Sequence, residues 1–153
     1  MKTYNLKQSV FKVIKKPSLI NLESLKINSS KEAEKVFRSC YDITSQHLLI
    51  VESFFVLFLN RANSIIAFQH VSTGGISGTI VDPKIIYKHA IDCLASGIIL
   101  CHNHPSGNLK VSQADKDLTA KIKSGAKILD LELLDHIIIT EDSYLSFSEE
   151  GIL

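Results

Sequence analysis

The chain has 153 residues, of which 45% are hydrophobic, and its formal net charge is +1. These values predict one globular domain with a substantial core, and they exclude a strong electrostatic field that would attract nucleic acid or an anionic membrane. The N-terminus lacks the apolar segment of a signal peptide, and no apolar run approaches the roughly 20 residues of a membrane span.

Residues 1–28 carry the weakest pattern, and we expect them to form a strand-like extension ahead of a domain that covers residues 29–153. Residues 10–17 have the apolar character of an edge strand, whose end is marked by two lysines and a proline. A basic binding arm is the alternative. It is disfavoured because the charge is small and no aromatic residues are interleaved with it.

Ser29 and Glu32 have the spacing of a capping box and predict the start of a helix with one apolar face. Residues 53–59 then form the most hydrophobic strand of the chain. A turn at residues 60–63 leads to its hairpin partner at residues 64–71, which we expect to be central in the sheet. Glu52 directly precedes the first of these strands.

The glycine-rich residues 72–79 lack the spacing of a phosphate-binding loop and predict a tight loop instead. Asp82 and Pro83 then predict a helix start, and Gly97 predicts the point where that helix stops. His70 and His89 lie on a predicted strand and on an apolar helix face. We interpret both as structural histidines rather than metal ligands.

Residues 97–101 predict a buried strand, and His102 and His104 follow at its end. Because residues i and i+2 of an extended chain point to the same side, both imidazoles can face one point while Asn103 faces away. After a turn at residues 105–108, Ser112 begins a helix as its N-cap, with Asp115 in the first turn. Two imidazoles and one carboxylate are the ligands of catalytic zinc sites. Taken singly, however, each of these residues is better explained as an ordinary strand-end histidine or helix cap.

Cys40, Cys93 and Cys101 form no Cys-x-x-Cys pair, and their odd number predicts reduced, buried thiols in a cytoplasmic protein. Cys101 adjoins His102 but should point to the opposite face of the strand, so we exclude it as a ligand. Further along, Gly125 predicts the end of the helix that Ser112 begins. Residues 131–139 and 144–147 predict the last two strands.

The spacing His102-x-His104, seven residues, Ser112, two residues and Asp115 resembles the JAMM (MPN+, JAB-type) zinc metallopeptidase motif at every position. Residues 98–107, with Asn103 between the histidines and Ser-Gly after the proline, are similar to the bacterial RadC-like branch. The resemblance runs from about residue 29 to the C-terminus. It implies an α/β fold in which a mixed, largely antiparallel sheet is flanked by helices and the metal lies at strand ends.

The resemblance also assigns Glu52 as the glutamate of the motif. Spacing alone does not bring Glu52 to the metal, and the alternative interpretation is that Glu52 is a charged residue at the edge of a strand. It implies that Zn²⁺ held by His102, His104 and Asp115 lowers the pKa of a bound water towards about 7. Glu52 would accept the proton of this water, and the Ser112 hydroxyl would hydrogen-bond the oxyanion. These roles predict a zinc-dependent hydrolase of amide or isopeptide bonds with a peptide or protein substrate.

In RadC-like domains a Gly-Thr loop similar to residues 72–79 lines the cleft, and an Asp-His-Ile segment similar to residues 135–137 supports the sheet and the cleft. Longer members carry an N-terminal helix-hairpin-helix module, which the segment ahead of residue 29 is too short to hold. Lys84 replaces an arginine usual in that branch.

Two alternative functions remain open. One is a DNA-associated accessory protein with a structural or vestigial metal. It is disfavoured because only Lys84, Lys88 and Lys110 flank the expected cleft. The other is a non-catalytic interaction domain, which the filled motif disfavours. Accordingly, we expect no strong nucleic-acid binding.

Overall fold

The computed structural model describes residues 25–44, 50–74 and 80–153. Three helices and five strands follow one another in these ranges. In chain order they are α1 (Ser30–Thr44), β1 (Ser53–Leu59), β2 (Ile65–Thr73), α2 (Pro83–Asp92), β3 (Gly97–Asn103), α3 (Gln113–Ile128), β4 (Glu132–Ile139) and β5 (Tyr144–Ser146). This is the α/β architecture that the sequence predicts. The strand predicted at residues 10–17 and most of the glycine-rich loop lie outside the described ranges.

The five strands form one mixed sheet in the order β2-β1-β3-β4-β5. Only β3 and β4 run parallel, and the other three pairs are antiparallel. The prediction of a mixed, largely antiparallel sheet is therefore confirmed. The prediction that β2 is central is wrong, because β1, β3 and β4 occupy the three inner positions of the sheet. β2 lies at the edge of the sheet. After Ala67 its residues are half-buried, and the last one, Thr73, is exposed.

Helices cover both faces of the sheet, which explains why β1 and β3 are buried along their whole length. Helix α1 packs on one face, through the side chains of Ala33, Val36, Phe37, Cys40 and Tyr41. Helices α2 and α3 pack on the opposite face, through Ile86, Ala90, Ile122 and Ala126. Alternate residues of each inner strand therefore pack into different cores, one beneath α1 and one beneath α2 and α3.

Two helix ends differ from the predictions that glycines suggested. Helix α2 ends at Asp92, five residues before Gly97, because Leu94 adopts a left-handed φ of 54° that no helix can continue. Helix α3 runs straight through Gly125 and ends at Ile128, where Asp130 turns the chain with a φ of 51°. Both turns use residues other than glycine, so the sequence carries no strong signal for them.

The described chain before α1 is joined to the sheet by an isolated bridge between Lys26 and Ser64. The Ile27 side chain is buried in the core beneath α1. The division of the chain between residues 28 and 29 stays a prediction. Across the three described ranges, no helix is long and apolar enough to cross a bilayer.

Candidate metal centre

Three consecutive polar residues alternate across the sheet: His102 and Asn103 at the end of β3, and His104 directly after it. His102 pairs with Phe54 of β1 and stacks on its ring, with 6.0 Å between the ring centroids, on the face covered by α2 and α3. Cys101 lies in the opposite core beneath α1, as predicted. The Asn103 side chain also points to the α1 side, where it contacts Tyr41. The alternation therefore directs the imidazoles of His102 and His104 to one side.

The first turn of α3 brings a carboxylate to the two imidazoles. Ser112 is the N-cap, and its hydroxyl accepts a hydrogen bond from the Asp115 N–H at 3.1 Å. In return, Asp115 Oδ2 accepts from the backbone N–H and the hydroxyl of Ser112. The capping box thus occupies one carboxylate oxygen and leaves Asp115 Oδ1 directed at His102 Nε2, 3.2 Å away.

One ligand atom each from His102, His104 and Asp115 lies within 4.8 Å of the others. The two Nε2 atoms are 3.0 Å apart, and His104 Nε2 lies 3.9 Å from Asp115 Oδ2. Two donors about 2.0–2.1 Å from one tetrahedral zinc ion lie about 3.3 Å apart, which is close to these separations. The sequence spacing therefore identified residues that the fold brings together.

The hydrogen bonds of the two imidazoles leave their Nε2 atoms facing the same point. His104 Nδ1 contacts the Asn108 carbonyl at 2.6 Å, and because a carbonyl only accepts, Nδ1 carries the proton. His102 Nδ1 is occupied by His136 at 2.8 Å. When both rings carry their proton on Nδ1, the lone pairs of the two Nε2 atoms, 3.0 Å apart, repel unless a cation lies between them. The donor set of two imidazoles and one carboxylate therefore fits a zinc ion.

The charges around the cluster favour an ionised carboxylate and a neutral buried imidazole. Burial alone would raise the pKa of Asp115, but its contacts with His102 and the hydrogen bonds from Ser112 hold that pKa well below its usual range. Burial, assisted by the nearby His102, lowers the pKa of His136 far below its ordinary value. At neutral pH Asp115 therefore carries a negative charge, and the buried His136 ring beside His102 is neutral.

Glu52 lies directly before β1 and lines the same cleft as the cluster. The peptide groups on both sides of it are held by one side chain. Asn103 Oδ1 accepts from the Ser53 N–H at 2.7 Å, and Asn103 Nδ2 donates to the Val51 carbonyl at 2.9 Å. The Tyr41 hydroxyl donates to the same Asn103 oxygen at 3.1 Å. The residue between the two histidines therefore fixes the backbone that carries Glu52.

The cluster opens into a cleft of about 580 Å³. Besides the cluster and Glu52, its wall is formed by Phe54, Val81, Pro105, Ser106, Asn108, Lys110, Ser112, Ala114 and Leu118. Phe54, Val81 and Leu118 contribute apolar surface, whereas Pro105, Ser106, Asn108 and Lys110 belong to the loop between β3 and α3. Such a cleft leaves room for a ligand beside the three donor atoms.

Three residues at the site were not assigned a specific role by sequence reasoning. Asn103 was expected to face away from the two imidazoles, and it does. Its hydrogen bond to Ser53, 50 positions away along the chain, was not predicted. His136 was expected to support the cleft, and it does so by contacting His102 directly. Thr119 was missed, although its spacing of one helical turn from Asp115 could have suggested it. His70 contacts Ser72 and Thr73 on β2 instead of the cluster.

A sequence model of the family described as RadC-like JAB domain matches residues 27–152. A UPF0758 protein from Flavobacterium johnsoniae is 50% identical over 131 residues, which cover 86% of this chain and 55% of that protein. UPF0758 proteins from Clostridium acetobutylicum and Fusobacterium nucleatum are 40% and 39% identical over 87% and 92% of this chain. The chain spans just over half the length of these relatives, whose names state no activity or ligand.

Proposed function

This chain belongs to the family of RadC-like JAB domains, and from that premise we propose that it is a zinc-dependent hydrolase of amide or isopeptide bonds. The observation that carries the proposal is the convergence of His102, His104 and Asp115 in an open cleft. Glu52 lines the same cleft. The proposal concerns the domain itself, since its relatives are longer proteins.

His102, His104 and Asp115 are the residues that would hold the metal, with Asp115 Oδ1 and the two Nε2 atoms as donors. When bound, zinc supplies Lewis acidity and lowers the pKa of a coordinated water towards about 7. The protein orients this donor set with the capping box of α3 and with the hydrogen bonds of the two Nδ1 atoms.

Glu52 is the general base in this proposal. Its carboxylate would accept the proton of the attacking water and return it to the leaving amine, a role typically worth about 10²–10⁴-fold in rate. Proton transfer needs a defined position, and the Asn103 side chain restrains the backbone on both sides of Glu52. This restraint favours a catalytic role for Glu52, because a solvent-exposed charge at the edge of a strand would not need a fixed backbone.

Ser112 is proposed to donate a hydrogen bond to the oxyanion. In the structure its hydroxyl contacts the Asp115 carboxylate, so the hydroxyl proton must rotate into the cleft when substrate binds. The backbone N–H of Ser112 keeps its own bond to Asp115 at 2.8 Å during such a rotation. The Asp115 carboxylate therefore stays oriented while the Ser112 hydroxyl donates to the substrate oxyanion.

The proposed substrate is a peptide or protein. Phe54, Val81 and Leu118 form an apolar wall suited to a side chain, and Lys110 is the basic residue among the cleft-lining side chains of the described chain. A single cation gives little attraction for a polyphosphate backbone. This feature disfavours the alternative of a DNA-associated accessory protein.

The proposal is tested by incubating the zinc-loaded protein with a complex peptide mixture and with isopeptide-linked peptides, and by identifying products through mass spectrometry. We expect new termini that disappear with a chelator and return when zinc is added back. Absence of zinc-dependent cleavage, together with duplex DNA binding that persists at physiological salt, would favour the accessory function instead.

A further inference from the structure

A chain of hydrogen bonds leads from the backbone of Asp115 to the back of the His102 ring. The Thr119 hydroxyl lies 2.6 Å from the Asp115 carbonyl oxygen and 2.7 Å from His136 Nδ1. His136 Nε2 lies 2.8 Å from His102 Nδ1. The opposite side of the His102 ring faces the Asp115 carboxylate. The four groups thus form a closed ring that begins and ends at one residue.

The position of every proton in this ring follows from the first contact. Two oxygens 2.6 Å apart need a proton between them, and because the carbonyl only accepts, the Thr119 hydroxyl donates to Asp115. A hydroxyl has one proton, so Thr119 can only accept from its other partner. His136 Nδ1 must therefore carry a proton and donate it to Thr119.

The proton on His136 Nδ1 determines the tautomer of His102. His136 is fully buried, and in the described chain its ring hydrogen-bonds His102 and Thr119 but no carboxylate, so a second proton on the ring would be an uncompensated buried charge. Its Nε2 is then an acceptor, which requires His102 Nδ1 to donate. His102 consequently keeps the lone pair of Nε2 on the side that faces His104 and Asp115.

We propose that Thr119 and His136 are positioning residues that select the metal-binding tautomer of His102. This inference rests on the metal site of the proposed function. It adds two residues that do not bind the metal themselves but fix the proton position on one of its ligands. Thr119 and Asp115 both lie on α3, whereas His102 lies on β3. The ring therefore couples a ligand on the helix to a ligand on the strand.

A purely structural role for His136 would need only its ring. That ring stacks on Phe147 with 4.6 Å between centroids and meets the edge of Phe54 at 5.7 Å. These contacts do not depend on which nitrogen carries the proton. Thr119 separates the two roles, because its hydroxyl acts on the proton while its methyl group contributes only packing.

The variants that test the inference are Thr119→Val and Thr119→Ser. Valine keeps the shape but removes the acceptor for His136 Nδ1–H, so His136 can carry its proton on Nε2 and force the non-binding tautomer on His102. We expect Thr119→Val to weaken zinc binding by about 10–100-fold, and Thr119→Ser to stay within about twofold of wild type. Affinity is measured by competition with a chromophoric chelator.

The second readout is the nitrogen NMR spectrum of the histidine rings in metal-free protein, which does not depend on activity. We expect His136 to be protonated at Nδ1 in wild type and in Thr119→Ser, and an Nε2-protonated form to appear in Thr119→Val. Equal zinc affinity in both variants, or an Nε2-protonated His136 in wild type, would overturn the inference. If wild type itself binds no zinc, the proposed function fails, while the NMR comparison still decides the role of Thr119.

Discussion

The side-chain oxygen of Asn103 accepts a hydrogen bond from the backbone N–H of Ser53 at 2.7 Å, inside the core. This contact joins the middle of the His-x-His segment to the residue that follows Glu52. The other half of the amide donates to the carbonyl of Val51. The end of β3 and the residue after it therefore present two imidazoles on one face, and Asn103 on the other face holds the backbone of Glu52.

Asn103→Asp tests this relationship because it keeps the size and one acceptor but places an oxygen against the Val51 carbonyl. We expect a loss of about 1–3 kcal/mol in unfolding free energy, measured by denaturant titration. We also expect slower hydrolysis, by up to about 10²-fold, since misplacement of a catalytic group by about 1 Å has this cost. The rate effect should vanish in a Glu52→Gln background. If it persists there, Asn103 does not act through Glu52.

Glu52→Gln separates catalysis from metal binding. Glutamine keeps the size of the side chain but cannot accept a proton at neutral pH, so hydrolysis should fall by about 10²–10⁴-fold. Zinc content should stay at the wild-type level, because Glu52 is not among the three clustered donors. Steady-state rates and metal analysis on the same preparation check both statements. An active Glu52→Gln protein would remove this residue from the mechanism.

Gly125→Ala should destabilise the protein although alanine favours helices. An added Cβ would lie 2.2 Å from the Tyr87 hydroxyl, which is held by the Ile122 carbonyl at 2.9 Å. We expect the overpacking cost of about 1–3 kcal/mol to exceed the propensity gain of about 1 kcal/mol. Thermal unfolding measures the difference. The exposed Ser124→Ala is the matched control, and a stabilised Gly125→Ala would contradict the close packing of α2 on α3.

The three cysteines should differ in reactivity. Burial raises the pKa of Cys40 to about 12 and holds that of Cys101 well above its usual range. Cys93 is only half-buried, contrary to the expectation of three buried thiols. We expect an alkylating reagent at neutral pH to modify Cys93 first in the folded protein, and all three after unfolding. Mass spectrometry of digested samples gives the order, and early labelling of Cys101 would contradict its burial.

The sequence predicted the features that depend on nearby residues. Ser112 and Asp115 form both bonds of a capping box within four residues, and the strand alternation places His102 and His104 on one side. The contacts of Asn103 and His136 could not be predicted, because they join segments that meet only through strand order. The strand order also puts β2 at the edge of the sheet, and the hydrophobic pattern of β2 does not distinguish an edge position from a central one.

Glycines explain the errors at the helix ends. Gly97 and Gly125 were interpreted as stop signals, but both are close-packing positions. A Cβ on Gly97 would lie 2.8 Å from Leu134 Cδ1, and one on Gly125 would meet Tyr87. A glycine required by a neighbour far along the chain cannot be distinguished from a helix stop by sequence alone.

Metal content by elemental analysis tests most directly whether His102, His104 and Asp115 hold one zinc ion. Protein purified without chelator should contain close to one zinc per chain. His104→Ala and Asp115→Ala should lose most of it, whereas Glu52→Gln should not. His104→Ala and Asp115→Ala proteins that bind zinc as tightly as wild type would contradict the ligand assignment.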